Sequence, residues 1–200
     1  MDADDWIEKN LLDCAVYRMQ EINADIVQFG FVYEQDGKAS AVYCHKEKDF
    51  ITREEIKNGF STFWKENRLS LWMQFFKKET VKSIRFENII IGEDICYTMD
   101  AFGNAEKVAY ISKALYHYRY IEGSTSHRWI ENTIECREII WNHQKSFIKS
   151  FGDDTDISVY AETAYDNYIW AIYLLSLNVC PLSYKEKKTT VIKVKRKNEV

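Results

Sequence analysis

One proline, Pro181, and seven glycines in 200 residues leave no room for a proline-rich, collagen-like or glycine-serine linker segment. No apolar run approaches the ~20 residues a membrane-spanning helix needs. Acids follow Met1 at once, where a secretory leader carries a basic and then an apolar region. No C-x-x-C pair occurs. The cysteines, Cys14, Cys44, Cys96, Cys136 and Cys180, are odd in number and scattered through apolar segments. That pattern predicts reduced, buried thiols in a cytoplasmic protein. It fits neither a disulfide framework nor a structural zinc site, whose ligand spacing is missing. No internal repeat is visible.

What is present is apolar and aromatic. Hydrophobic residues make up 46% and aromatics 15%, enough for a packed core and too much for wholesale disorder. The length fits one domain, or one and a part. The net charge of -4 is uneven. From Ser183 onward seven basic residues stand against Glu186 and Glu199, a local +5, so the first 182 residues carry -9. A body that acidic argues against nucleic acid as the partner. The basic tail, 183–200, suits peripheral contact with anionic lipid at the inner face of a membrane, at ~1 kcal/mol per basic residue. The plain alternative is a solvated, frayed terminus.

Hydrophobic spacing predicts a helix over residues 6–23 and then a strand over 25–33. The continuous apolar character of Ile26-Val27-Gln28-Phe29-Gly30-Phe31-Val32 predicts burial on both faces, as in an α/β sheet. Gln35-Asp36-Gly37 reads as a turn into a return strand over 39–44. Thr52 and Glu55 form a capping box for a helix to about residue 67. The aromatic run 69–76 reads as an extended piece followed by a helical turn to Ser83. A helix follows from Glu93 to about Gly103. Residues 107–111 and 115–118 read as two paired short strands. Two long helices, 130–151 and 156–179, close the chain. The fold class is α/β with a helical C-terminal region.

The densest chemistry lies at the start, Met1-Asp2-Ala3-Asp4-Asp5-Trp6. An Asp-x-Asp on a short turn gathers hard oxygen ligands. Mg²⁺ or Mn²⁺ takes one or two protein carboxylates and completes its shell with a diphosphate. The plain structural reading makes Asp5 a helix cap with Glu8 as its partner, and the acids complement the helix dipole.

Taken in order, several stretches resemble family 2 glycosyltransferases, which have the GT-A fold. Asp2-Ala3-Asp4-Asp5-Trp6-Ile7-Glu8 is similar to their Asp-x-Asp segment, and Ala24 to Phe31 to the next sheet strand. Leu71-Trp72-Met73-Gln74-Phe75-Phe76-Lys77-Lys78-Glu79 is similar to a Trp-centred acceptor-side segment, although Gln74 stands where many relatives carry a basic residue. Phe86 to Asp94 resembles the Glu-Asp motif region. Lys107 to Ile111, Leu115 to Arg119 and Glu122 to Ser126 resemble the closing strands and loop. The resemblance covers about residues 1–127 and is specific by its order.

The resemblance implies that residues 1–128 are the C-terminal portion of a GT-A glycosyltransferase domain, followed by a helical extension, 129–182, and the tail. Asp2, Asp4 and Asp5 would hold Mn²⁺ or Mg²⁺ and a nucleotide-diphospho-sugar donor. Asp94 would be the general base of an inverting transfer to a saccharide or lipid-linked acceptor hydroxyl, of the kind that builds cell-surface polysaccharide. Glu93 would position the acceptor or Asp94. Trp72 would face the acceptor, against the plain reading of a core aromatic. Arg119 and His127 flank a polar loop that would close over the diphosphate, or else form an ordinary exposed hairpin. The plain reading of Glu93-Asp94 is a pair of acids in a helix's first turn. His117 alternates with tyrosines and is expected to face solvent; His45 and His143 carry no signal.

The family's N-terminal nucleotide-binding half has no counterpart in these residues, which predicts either a fragment or a shortened product with uncovered sheet edges and a tendency to oligomerise. Two alternatives to the enzyme follow. One is a non-catalytic relative acting as an interaction module; the other is a plain metal-binding α/β domain.

Overall fold

A computed structural model describes residues 3–44, 48–65, 69–121, 132–152 and 182–189 of the chain. The Asp segment leads into a strand, not a helix. Trp6–Ile7 (β1) pairs antiparallel with His117 and Tyr116, and the Glu8 N–H donates to the Leu115 carbonyl at 2.9 Å. Helix α1 therefore starts later, at Leu11–Ile22. The apolar Trp6 and Ile7 continue the helical spacing by coincidence, and tertiary pairing overrides it. Asn23, in the left-handed region at φ 53°, ends α1.

Strand β2, Ile26–Gln35, is the centre of the sheet. Asp36 and Gly37 both have positive φ, as a two-residue type I′ hairpin demands, and turn the chain into β3, Lys38–Tyr43. The capping box at Thr52 forms as read: the Glu55 N–H donates to Thr52 Oγ1 at 3.2 Å and the Thr52 N–H to Glu55 Oε2 at 3.1 Å, opening α2 (Arg53–Lys65). A 3₁₀ turn, Leu71–Met73, leads into β4, Gln74–Phe76, and then α3, Lys78–Val81. After an irregular stretch come α4, Glu93–Asn104, and β5, Val108–Arg119.

β5 corrects the expectation of two paired short strands. It is one strand, parallel to β2 throughout. The register jumps where Ile111 faces Phe29 and Ala114 faces Gly30, so the exposed pair Ser112-Lys113 bulges out. A polar pair inside an apolar run mimics a turn in sequence, but the partner strand carries the ladder past it. The order is β1-β5-β2-β3, and β4 pairs antiparallel with the first half of the β2 edge that β3 occupies further on.

Successive residues of β2 and β5 enter opposite cores. Ile26 and Val108 join Met99, Phe102, Ile140 and Phe147 beneath α4 and α5; Val27 and Ala109 join Leu11, Phe29, Leu115 and Tyr116 on the α1 side. Each large buried aliphatic or aromatic side chain contributes about 1.5–3 kcal/mol. Helix α5, Thr133–Lys149, is shorter than the expected 130–151 and shares the α4-side core. The expected helix 156–179 and most of the basic tail lie outside the described residues, as do His45 and Cys180. Cys14, Cys44, Cys96 and Cys136 are free thiols. Among the described residues, no helix is long and apolar enough to cross a membrane.

Arg53 ties the helical layer together. Its guanidinium donates to the carbonyls of Gly103 (2.7 Å), Ala105 (2.8 Å) and Ser150 (3.1 Å) and lies 4.4 Å from the Phe151 ring centre. It thus satisfies the carbonyl ends of α4 and α5 at once. Arg53→Ala is expected to cost about 2–3 kcal/mol in urea unfolding. Arg53→Lys, which lacks the fork, is expected to recover less than half of that. A loss below about 0.5 kcal/mol would refute this role.

Candidate active site

The residues singled out by sequence come from four separate segments. Gly92 caps helix α4; its φ of 82° favours glycine, and a Cβ built there would meet Ile140 Cδ1 at 2.4 Å. This start places half-buried Glu93 and Asp94 in the first turn. The Asp94 carboxylate accepts the Ile95 N–H at 2.8 Å and also bonds the backbone of Leu71, in the turn that carries Trp72. Burial, with the charge of Glu93 adding, pushes the Asp94 carboxyl up to about 6, against the lowering effect of those backbone bonds. A carboxylate in a dry setting beside a like charge is a stronger base than one in water.

Trp72 stacks on Tyr116 (centroids 4.8 Å, 22°) and Tyr118 (5.4 Å, 20°), with Phe31 edge-on at 4.9 Å. Tyr116 is buried, and its hydroxyl donates to Asp5 Oδ2 at 2.7 Å. Asp5 Oδ1 accepts the Arg119 N–H at 2.8 Å. Asp5 therefore caps no helix: it is a buried anchor between the Asp segment and β5. Glu8, expected as its capping partner, instead bonds His117. Tyr116 joins Asp5 on one side to Trp72 on the other, and Trp72 adjoins the backbone that holds Asp94. The sequence reading did not single Tyr116 out; its place at an inward position of a strand next to Leu115 was the available signal.

Asp4 is half-buried beside Asp5, while Asp2 and His127 lie outside the described residues. The Arg119 guanidinium rests 5.2 Å from the Trp6 ring centre, on an exposed side chain. His117 corrects the expectation of a solvent-facing residue. Its ring stacks on Trp6 at 4.7 Å, and its nitrogens meet Glu34 Oε1 at 2.9 Å and Glu8 Oε1 at 3.1 Å. It fastens β1 across β5 to β2. Gln74, the departure from the resemblance, is buried and donates to Thr98 Oγ1 at 3.2 Å, so it packs inside α4 and not in an open cleft. Cys96 is buried, and burial with the surrounding acids pushes its thiol up to about 12, leaving it inert.

Among the described residues, no group of three or more His, Cys, Asp or Glu side chains is arranged to hold a metal ion. Asp4 and Asp5 nevertheless fit Mg²⁺ or Mn²⁺ in donor chemistry. They are hard oxygen donors, each Asp5 oxygen retains a lone pair beyond its single protein hydrogen bond, and such ions take only one or two protein carboxylates beside a diphosphate.

No protein-family model matches the chain. Curated relatives that do include the glycosyltransferase GlyA of Streptococcus pneumoniae, 29% identical over 139 residues, covering 66% of this chain and 20% of that protein; and the cholesterol galactosyltransferase of Borreliella burgdorferi, 26% identical over an alignment of 218 residues, covering 96% of this chain and 58% of that one. Residues 1–349 of Staphylococcus aureus TarS in complex with UDP-GlcNAc superpose with a TM-score of 0.59 at 20% identity, over 84% of this chain and 46% of that one. The UDP complex gives 0.57 at 18%, over 96% and 52%. The chain shares its fold with glycosyltransferase domains. It spans between 20% and 58% of the lengths of these relatives.

Proposed function

We propose that this chain is the acceptor-side part of a family 2, GT-A-type glycosyltransferase that moves a sugar, with inversion, from a nucleotide-diphospho-sugar to an acceptor hydroxyl in cell-surface polysaccharide synthesis. The observation that carries the reading is the convergence of Asp94, the Trp72 turn, Tyr116 and Asp5 into one connected site. Asp94 acts as the base. As the acceptor oxygen attacks the anomeric carbon, its proton passes to the Asp94 carboxylate, and the nucleoside diphosphate leaves on the opposite side. Glu93 raises the basicity of Asp94, and would position the acceptor hydroxyl beside it. Asp4 and Asp5, with Asp2, would hold Mn²⁺ or Mg²⁺, which supplies charge compensation for the departing diphosphate. Tyr116 and the Arg119 amide keep Asp5 oriented.

UDP is the donor-side probe, because the matched TarS structures are complexes with UDP-GlcNAc and UDP. In calorimetry, Mn²⁺ at millimolar concentration is expected to tighten UDP binding by about tenfold or more, and EDTA to reverse it. Binding of UDP indifferent to the cation would remove the metal from the reading.

A second reading, an interaction module, is favoured by one observation. Leu12 and Val16 lie one helical turn apart on α1, and they are 55% and 41% exposed, beside Tyr17 at 66%. It calls for self-association in sedimentation together with no UDP binding.

A further inference from the structure

Helix α5 touches the stretch that delivers Glu93-Asp94 at two places. Ile140 packs against Gly92, the residue on which α4 starts. His143, one turn further along the same face, holds the beginning of the stretch: its Nε2 meets Glu87 Oε1 at 3.0 Å and its Nδ1 meets Asp100 Oδ1 at 2.9 Å. Phe86, next to Glu87, stacks on Tyr97 of α4 at 4.7 Å. Residues 86–92 otherwise have no regular secondary structure, and Phe86 and Ile90 are mostly exposed. Their position rests on these contacts and on half-buried Ile89, which packs against the α4-side core.

We infer that His143 is a positioning residue: it clamps residues 87–92 between α4 and α5 in its doubly protonated form and thereby fixes the Glu93-Asp94 pair. Each ring nitrogen faces a carboxylate, which only accepts hydrogen bonds, so both bonds need both nitrogens protonated. The groups facing the ring are Asp100 from α4 and Glu87 from the irregular stretch. The bond to Asp100, and after it that to Glu87, raises the imidazole above its usual range, while burial works the other way. A histidine raised in the folded state contributes stability that is complete below its unfolded value of about 6.5 and is lost as pH rises through the higher folded value. Deprotonation turns one nitrogen into a lone pair facing a carboxylate, and that side of the clamp opens.

The clamp is tested without sugar, by backbone hydrogen exchange of residues 86–95 at pH 6.0 and 8.5, corrected for intrinsic exchange rates. Protection is expected to fall by about tenfold across that interval in the native chain, with α1 unchanged. His143→Gln is expected to exchange fast at both pH values, and His143→Arg, a permanent cation with a fork of donors, to stay protected at both. Flat protection of the native chain, a retained pH step in His143→Gln, or an equal loss in α1 overturns the proposal. The consequence for catalysis rests on the transfer reading. Once donor turnover is measured, His143→Gln should lower kcat several-fold at pH 6.0 and leave the donor KM unchanged. A failed exchange experiment leaves the transfer reading standing, and absent turnover leaves the clamp standing.

Discussion

On the proposed transfer reading, Asp94→Asn is expected to abolish sugar transfer while making the protein more stable. Loss of a general base lowers kcat by about 10²–10⁴-fold, with the donor KM unchanged, because Asn occupies the same volume but takes no proton. The stability gain follows from the same burial that makes the base. The folded-state value of about 6 lies above the ordinary 3.8, so the folded chain binds the proton more tightly than the unfolded one. Between those two values stability falls as pH rises, and above about 6 the full penalty is present. At about 1.4 kcal/mol per unit the ionised carboxylate costs on the order of 2–3 kcal/mol at pH 7.5. Asn removes the charge but must meet the Ile95 and Leu71 amides with one oxygen, so a net gain of about 1–2 kcal/mol is expected. Transfer itself should rise about tenfold per pH unit below pH 6 and level off above it, and this limb should vanish in the variant. Undiminished transfer by Asp94→Asn, or a variant less stable than the parent at pH 7.5, would reject the assignment. The two readouts separate a catalytic base from a plain first-turn acid. An acid at a helix N-terminus stabilises by a few tenths of a kcal/mol, so removing it could only destabilise.

Much of this arrangement was legible in the sequence, for identifiable reasons. The parallel centre of the sheet announced itself through the run Ile26 to Val32, apolar but for Gln28 and Gly30, which has no solvent-facing side because α4 and α5 cover one face and α1 the other. The capping box at Thr52 and the turn at Asp36-Gly37 are local chemistry, and local chemistry survives folding unchanged. What failed was decided by partners distant in sequence. Trp6 and Ile7 have helical spacing but join a strand 110 residues away. Ser112-Lys113 looks like a turn and is a bulge. His117 alternates with tyrosines and was expected to face solvent, yet Glu8 and Glu34 arrive from two other segments to enclose it. The individual site residues were visible as types, whereas their convergence through Tyr116 required the fold.

Gly30→Ala is expected to be among the most damaging single-methyl changes in the chain. Gly30 lies where β2 exchanges one antiparallel neighbour, β4, for another, β3. A Cβ at this position would sit 2.1 Å from the Tyr43 carbonyl oxygen and 2.9 Å from Cys44 Cα. Both obstacles are backbone, so no rotamer change relieves the clash, and the end of β3 must move. The loss includes the Phe31–Tyr43 ring stack at 4.7 Å as well as ladder bonds, and about 3 kcal/mol is a reasonable scale for such overpacking. The displacement should reach the site, because Phe31 also sets its edge against Trp72, whose turn bonds Asp94. The expected outcome is a lower urea midpoint at unchanged m-value, with faster amide exchange at residues 41–44. Gly37→Ala is the contrasting control. Nothing lies within 4 Å of its built Cβ, and its positive φ alone should cost about 1 kcal/mol. If the two alanine variants proved equally stable, the close crossing at Gly30 would not be the constraint that sets the order of strands along β2.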